Sequence, residues 1–269
     1  MRYFITGGTG FIGRSLVKAL AEAGHEVRVL IRRESDREKF RAMPVVLRLG
    51  EMSDEAFLRE CLQGVAVVFH LAAMRGGFGV TEEEFVSVNV EMTQTLVEAA
   101  QAAKVRHFVY CSSVSVMGHL AEKEMDESWP YRPMNGYGRT KAAGEKLVLS
   151  AASAAFPVTV VRPVITYGPG DDWGAVTKLI SLIERKRYAT VGDGKNILHL
   201  CYIDDMVQGL VKASQNGGNG EVYIIAGEKA ISVNDLVRLI KKELRTNFPV
   251  FHIPLFFTYW CASVLVWLT

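Results

Sequence analysis

The segment Thr6-Gly7-Gly8-Thr9-Gly10-Phe11-Ile12-Gly13 restricts the fold of this chain more than any other. It lies between a short apolar run (residues 3–6) and a helical stretch (residues 11–23). Gly7 permits a sharp turn, Gly10 lets a pyrophosphate approach the backbone, and Gly13 allows a helix to pack tightly on a strand. The helix end then presents unpaired N–H groups and a positive dipole end to phosphates. A strand, this loop and a helix at the start of a chain predict a dinucleotide-binding βαβ unit, with Phe11 and Ile12 beside the pyrophosphate.

The pattern that follows agrees. Runs at 27–31, 45–49, 65–71, 107–112 and 158–161 are short and rich in Val, Ile and Phe, as strands buried on both faces are. Helical stretches at 54–62, 82–103 and 137–152 separate them. Such alternation predicts an α/β, Rossmann-type doubly wound parallel sheet whose strand ends form one ligand-binding edge. Residues 1–165 make that domain. Residues 166–269 make mostly a small substrate lobe, with parts near 201–226 returning to the sheet. There a helix is expected over about 173–187, another from Asp204–Asp205, a strand at 221–226 and a helix capped by Ser232.

Composition excludes several classes. With 31 Lys+Arg against 29 Asp+Glu, there is no basic excess for nucleic acid. Cys61, Cys111, Cys201 and Cys261 are scattered, without metal-ligand spacing, so no metal site and no disulfide framework is expected. No secretory leader precedes the glycine loop, and a cytoplasmic location is expected. The last 24 residues carry no charge. Leu255–Thr269 is too short to span a bilayer and reads as a buried lobe helix, in a chain truncated before its covering partners; membrane contact is the less favoured alternative.

The second strand ends at Ile31-Arg32-Arg33, where NAD sites commonly carry an acidic residue. Guanidinium groups suit a 2′-phosphate, so NADP is favoured over NAD. Tyr137-Gly138-Arg139-Thr140-Lys141 sets a phenol and an ammonium on one helical face, downstream of Cys111-Ser112-Ser113 at a strand end. A nearby cation favours tyrosinate, and serine can hold a substrate oxygen.

With these motifs the chain resembles the extended short-chain dehydrogenase/reductases, the NAD-dependent epimerase/dehydratase family. The likeness runs from Met1 to about Ala226 through TGGTGFIG, HLAA (70–73), Asn89-Val90, CSSVSVMG (111–118), YGRTK, VRPVITYGPGD (161–171) and YIDD (202–205). It implies that Ser113, Tyr137 and Lys141 are catalytic, with Ser112 beside them at the cofactor. It places Glu51 and Met52 at the adenine and Leu71, Ala72 and Ala73 on the path to the nicotinamide ribose. Asn89 would support the cofactor, and Pro163 and Val164 would touch the ring. Lys141 would bind the ribose and lower the Tyr137 pKa.

The implied activity is hydride transfer between nicotinamide and a secondary alcohol or ketone. The substrate would be a sugar nucleotide or a hydroxysteroid- or dihydroflavonol-like alcohol. The alternative is a non-catalytic NADP-binding scaffold or redox sensor. Dehydratases of the family carry acid after the catalytic serine; here Val114 and Ser115 stand there, which disfavours dehydration. Met117, before Gly118, reads as altered pocket lining. A homodimer through a four-helix bundle of 82–103 and 137–152 is also implied.

Overall fold

The computed structural model describes residues 1–76, 79–118, 125–172 and 174–256. The chain opens with β1 (Arg2–Thr6), α1 (Phe11–Glu22), β2 (Glu26–Ile31), β3 (Val46–Leu49), α2 (Glu55–Cys61) and β4 (Val67–His70). It continues through α3 (Glu82–Val86), α4 (Met92–Ala102), β5 (His107–Cys111), α5 (Gly136–Ser150) and β6 (Val158–Pro163). Next come β7 (Ile165–Tyr167), α6 (Ala175–Glu184), β8 (Thr190–Val191) and β9 (Ile197–Tyr202). The last elements are α7 (Ile203–Asn216), β10 (Glu221–Ile225), β11 (Ala230–Ser232), α8 (Val233–Glu243) and β12 (His252–Ile253).

These form two compact units. The first comprises Met1–Val164 and Ile203–Ile225, and the second Ile165–Tyr202 with Ala226–Thr269. In the first, seven strands pair in the order β10-β6-β5-β4-β1-β2-β3, all parallel. The order reverses between β1 and β4, which opens a crevice beyond their carboxyl ends, the usual ligand position in such sheets. Phe4, Val68 and Phe108 pack with Leu58 of α2, Leu96 of α4 and Val148 of α5 in one buried cluster. Helices α1 and α7 pack on each other.

In the second unit, β11 runs antiparallel and β7 parallel to the central β9. Its core gathers Ile183, Leu236, Val237 and Ile240. Ser232 caps α8 by accepting the Asp235 N–H at 3.1 Å, as its place in the sequence suggests. Among the described residues no helix is long and apolar enough to cross a membrane. Residues 257–269 of the apolar tail lie outside the described residues.

Two local readings change. The stretch 82–103 is not one continuous α-helix: a π-helical turn, Ser87–Glu91, separates α3 from α4. Met117, read from the sequence as pocket lining, is a core residue. It is buried against Val116 and Ala142, because the short 3-10 turn Val114–Val116 tucks it under α5.

Candidate active site

The glycine loop leaves β1 with Gly7 at φ +71°, a conformation that side chains rarely adopt. A Cβ on Gly7 would fall 2.5 Å from the backbone N of Ala72, so the loop lies directly against the segment after β4. Leu71 donates its N–H to the Thr6 carbonyl at 3.1 Å, which fixes that approach. A Cβ on Gly13 would sit 2.2 Å from the Gly7 carbonyl oxygen, so only glycine lets α1 start so close to the turn. At Gly10 the nearest atom to an added Cβ is 3.3 Å away, and no side chain caps α1. This is a cradle with free helix-end N–H groups, and it fits the pyrophosphate of a dinucleotide.

Just past the end of β2, Arg32 and Arg33 are both exposed. Arg33 lies 3.5 Å from the buried carboxylate of Asp36, while Arg32 makes no ion pair among the described residues. Glu51 is exposed, but the Met52 side chain is buried in the core cluster, which leaves only its backbone to face an adenine.

A chain of hydrogen bonds ties the glycine loop to the helices. Thr93 donates its hydroxyl to the Asn89 carbonyl at 2.9 Å, so it must accept from Nε2–H of His70, also at 2.9 Å. The His70 Nδ1 then accepts the Thr6 hydroxyl at 2.6 Å, and Thr6 accepts the Ala72 N–H at 3.3 Å. His70 is wholly buried, and burial, followed by the charge of Lys141, pushes its pKa down to about 3. It is a neutral tie whose tautomer is set by its neighbours.

Asn89 lies within the π-helical turn. Its side-chain oxygen accepts the Met74 N–H at 2.7 Å, and its amide donates to the Met74 carbonyl and to Thr140, both at 3.0 Å. The amide is therefore committed to protein. Asn89 thereby holds the segment after β4 against α5. π-turns inside helices recur at functional sites.

Helix α5 begins where Asn135 accepts the Gly138 N–H at 2.7 Å. Two glycines let it pack closely. A Cβ on Gly138 would lie 2.7 Å from the Ser115 carbonyl, and one on Gly144 would lie 2.5 Å from the Tyr110 hydroxyl. The first turn of α5 thus brings half-buried Tyr137 to Ser113, whose hydroxyl interacts with the phenol. Ser113 also donates to the Ser115 hydroxyl at 3.0 Å and accepts the Ser115 N–H at 3.1 Å.

One turn on, Lys141 is only 1% exposed. It donates to the Cys111 carbonyl at 2.7 Å and stands 4.0 Å over the Tyr110 ring. Burial lowers its pKa to about 8, opposed by the negative charge of Glu145. The Tyr137 pKa is raised rather than lowered: burial dominates, and the opposing cation is Arg75, not Lys141. The sequence missed Arg75 because it sits in an unpatterned segment after β4.

Ser112 is buried with its hydroxyl donated to Glu145, so Ser113 is the serine that meets Tyr137. Pro163 closes β6, and Val164 continues from it, donating its N–H to the Ile225 carbonyl at 3.3 Å. In the second unit, His199 donates its Nε2–H to the Gly227 carbonyl at 2.8 Å, and Cys201 is buried. Among the described residues no group of three or more His, Cys, Asp or Glu is arranged to hold a metal ion.

Comparison with known proteins gives the same picture. The profile described as NAD dependent epimerase/dehydratase family matches residues 3–226. The chain is 33% identical over 257 residues to a 4-hydroxy-2-methyl-3-oxo-4-farnesyl-3,4-dihydroquinoline-1-oxide ketoreductase of Stigmatella aurantiaca, covering 94% of this chain and 76% of that protein. It superposes on MoeE5 in complex with UDP-glucose and NAD with TM-score 0.81 and 30% identity, covering 94% and 85% of the two chains. UDP-glucuronic acid 4-epimerase from Bacillus cereus in complex with NAD matches with TM-score 0.83 and 27% identity, covering 94% and 87%. The seven-stranded sheet and its glycine cradle lie almost wholly within the profile match, and the chain belongs to the NAD dependent epimerase/dehydratase family of enzymes.

Proposed function

We propose that the protein is an NADP-preferring oxidoreductase that interconverts a secondary alcohol and its ketone. The observation that carries this reading is Tyr137 beside Ser113 at the carboxyl end of β5, with buried Lys141 one helical turn on. A bound nicotinamide cofactor supplies the hydride or its acceptor. Gly7, Gly10 and Gly13 give its pyrophosphate room at the α1 end, and Arg32 offers a guanidinium to a 2′-phosphate. Lys141 would bind its ribose, and Pro163 and Val164, at the end of β6, would contact its nicotinamide.

The Ser113 hydroxyl holds the substrate oxygen, and the phenol of Tyr137 gives that oxygen a proton or takes one from it. The raised phenol pKa keeps Tyr137 protonated at neutral pH, which suits proton donation to a forming alkoxide and so the reductive direction. Val114 and Ser115 provide no carboxyl group beside Ser113, which argues against loss of water from the substrate. Kinship with a ketoreductase supports net reduction.

A second reading is epimerisation of a sugar nucleotide with retained NAD, favoured by the UDP-sugar and epimerase neighbours. The Tyr137–Lys141 pair favours catalysis over a non-catalytic NADP-binding scaffold or redox sensor. We further propose a cytoplasmic homodimer built on the outward faces of α4 and α5.

The test follows the absorbance of reduced nicotinamide with NADPH or NADH and with hydroxysteroid, dihydroflavonol and UDP-glucose probes. The expected result is net consumption of NADPH with a ketone probe, and a drop of about a hundredfold or more in Tyr137→Phe with NADPH affinity unchanged. Interconversion of UDP-sugars without net consumption would establish the epimerase reading instead. Full activity in Tyr137→Phe would overturn the mechanism.

A further inference from the structure

Glu145 is wholly buried on α5, one turn beyond Lys141 and two beyond Tyr137. Its Oε1 accepts Nη2 and Nε of Arg162 at 2.6 and 3.1 Å and the Tyr131 hydroxyl at 2.9 Å. Its Oε2 accepts the Ser112 hydroxyl, and Arg162 Nε also reaches it at 3.3 Å. The side chain of Arg162 is 3% exposed, and its Nη1 donates to the Glu127 carbonyl at 3.0 Å.

A buried ion pair of this kind is a weak source of stability, because well-packed apolar residues often do as well. Its connections are more telling. Ser112 directly precedes Ser113, and Arg162 directly precedes Pro163 and Val164. Lys141 grips the carbonyl of Cys111 while Glu145 grips the hydroxyl of Ser112, so two charged side chains one turn apart hold consecutive residues at the end of β5.

We propose that Glu145 is a positioning residue: it locks Ser112–Ser113, Arg162–Val164 and α5 into one register and sustains the charge of Lys141. This rests on the oxidoreductase reading above for what the register serves. Several groups bear on Lys141. His70 on β4 is neutral, and on β5 Tyr110 and Cys111 have pKa values raised by burial and remain uncharged. Arg75, after β4, adds positive charge near Cys111 and Tyr137. Tyr137 on α5 is protonated, so Glu145 supplies the negative charge, shared with Arg162.

The experiment uses the full chain with carbon-13 at lysine Cε. The Lys141 resonance is assigned by its loss in Lys141→Met and titrated by NMR without cofactor. In the double variant Glu145→Gln with Arg162→Met, which leaves no unpaired buried charge, the Lys141 midpoint falls by roughly one pH unit. In Glu145→Asp, which keeps the charge but shortens the reach, the midpoint stays at the parental value. The kcat of Glu145→Asp on the probe turned over by the parent falls by about tenfold, with NADPH affinity retained.

An unmoved midpoint in a folded double variant overturns the electrostatic half. Parental kcat in Glu145→Asp overturns the positioning half, and that arm decides even if the double variant does not fold. If the parent turns over no probe, the oxidoreductase reading fails, while the titration still judges the link from Glu145 to Lys141.

Discussion

At the scale of single residues, His70 shows how a buried titratable group can be structural. Its folded pKa of about 3 lies below the ordinary imidazole value near 6.5. The unfolded chain therefore binds the extra proton first as pH falls, and the stability present above about pH 6.5 is lost progressively toward pH 3. His107, also lowered by burial, contributes in the same direction. Urea unfolding near pH 7.5 and near pH 5 is expected to differ by roughly 2 kcal/mol through His70, and His70→Gln is expected to remove that component. An equal pH slope in the variant would contradict the assigned protonation state. Tyr137, Lys141 and the glycines stand out in the sequence because their spacings fall together with the strand and helix pattern around them. Arg75, Glu145 and Arg162 are not, because their meaning depends on contacts between segments far apart in the chain.

At the scale of elements, the loop between β1 and α1 is the most constrained. Adding one methyl at position 13 drives it into the Gly7 carbonyl at 2.2 Å, against backbone that cannot rotate away. Gly13→Ala is expected to cost roughly 1–3 kcal/mol in urea unfolding and to weaken NADPH binding, read by fluorescence, by about tenfold or more. Parental binding in that variant would mean that α1 can shift without harm to the cradle. The strand and helix pattern predicts these elements well, since each has a strong period of its own. The π-helical turn at Ser87–Glu91 is invisible to that method: one extra residue in a turn barely disturbs an apolar period over twenty residues. Within it, Asn89 bonds to Met74 and Thr140.

At the scale of the whole molecule, the dimer proposal meets a physical constraint. The apolar faces of α4 and α5 are already used inside the protomer, with Leu96, Val97, Ala99 and Ala100 packed in the core beside Val148. The outward residues include Gln94, Glu98, Gln101, Arg139, Ala143 and Lys146, so an interface there would be largely polar. Light scattering of the full chain at micromolar concentration is expected to give the mass of two chains, and Ala143→Arg to reduce it to one. A single-chain mass for the parent would remove the proposal. The chain returns to the sheet through α7 and β10, which belong to the first unit.

That return has a consequence for synthesis. Strand β6 has β5 on one side, and its other edge is covered by β10, which lies some sixty residues later. While the ribosome makes the intervening stretch, the nascent sheet carries a bare, Val-rich border of the kind that recruits foreign strands. Termination after Pro163 but before Glu221 would leave that border permanently unsealed, so such incomplete products of translation should aggregate even though every residue of the Ser113–Tyr137–Lys141 group has already been made.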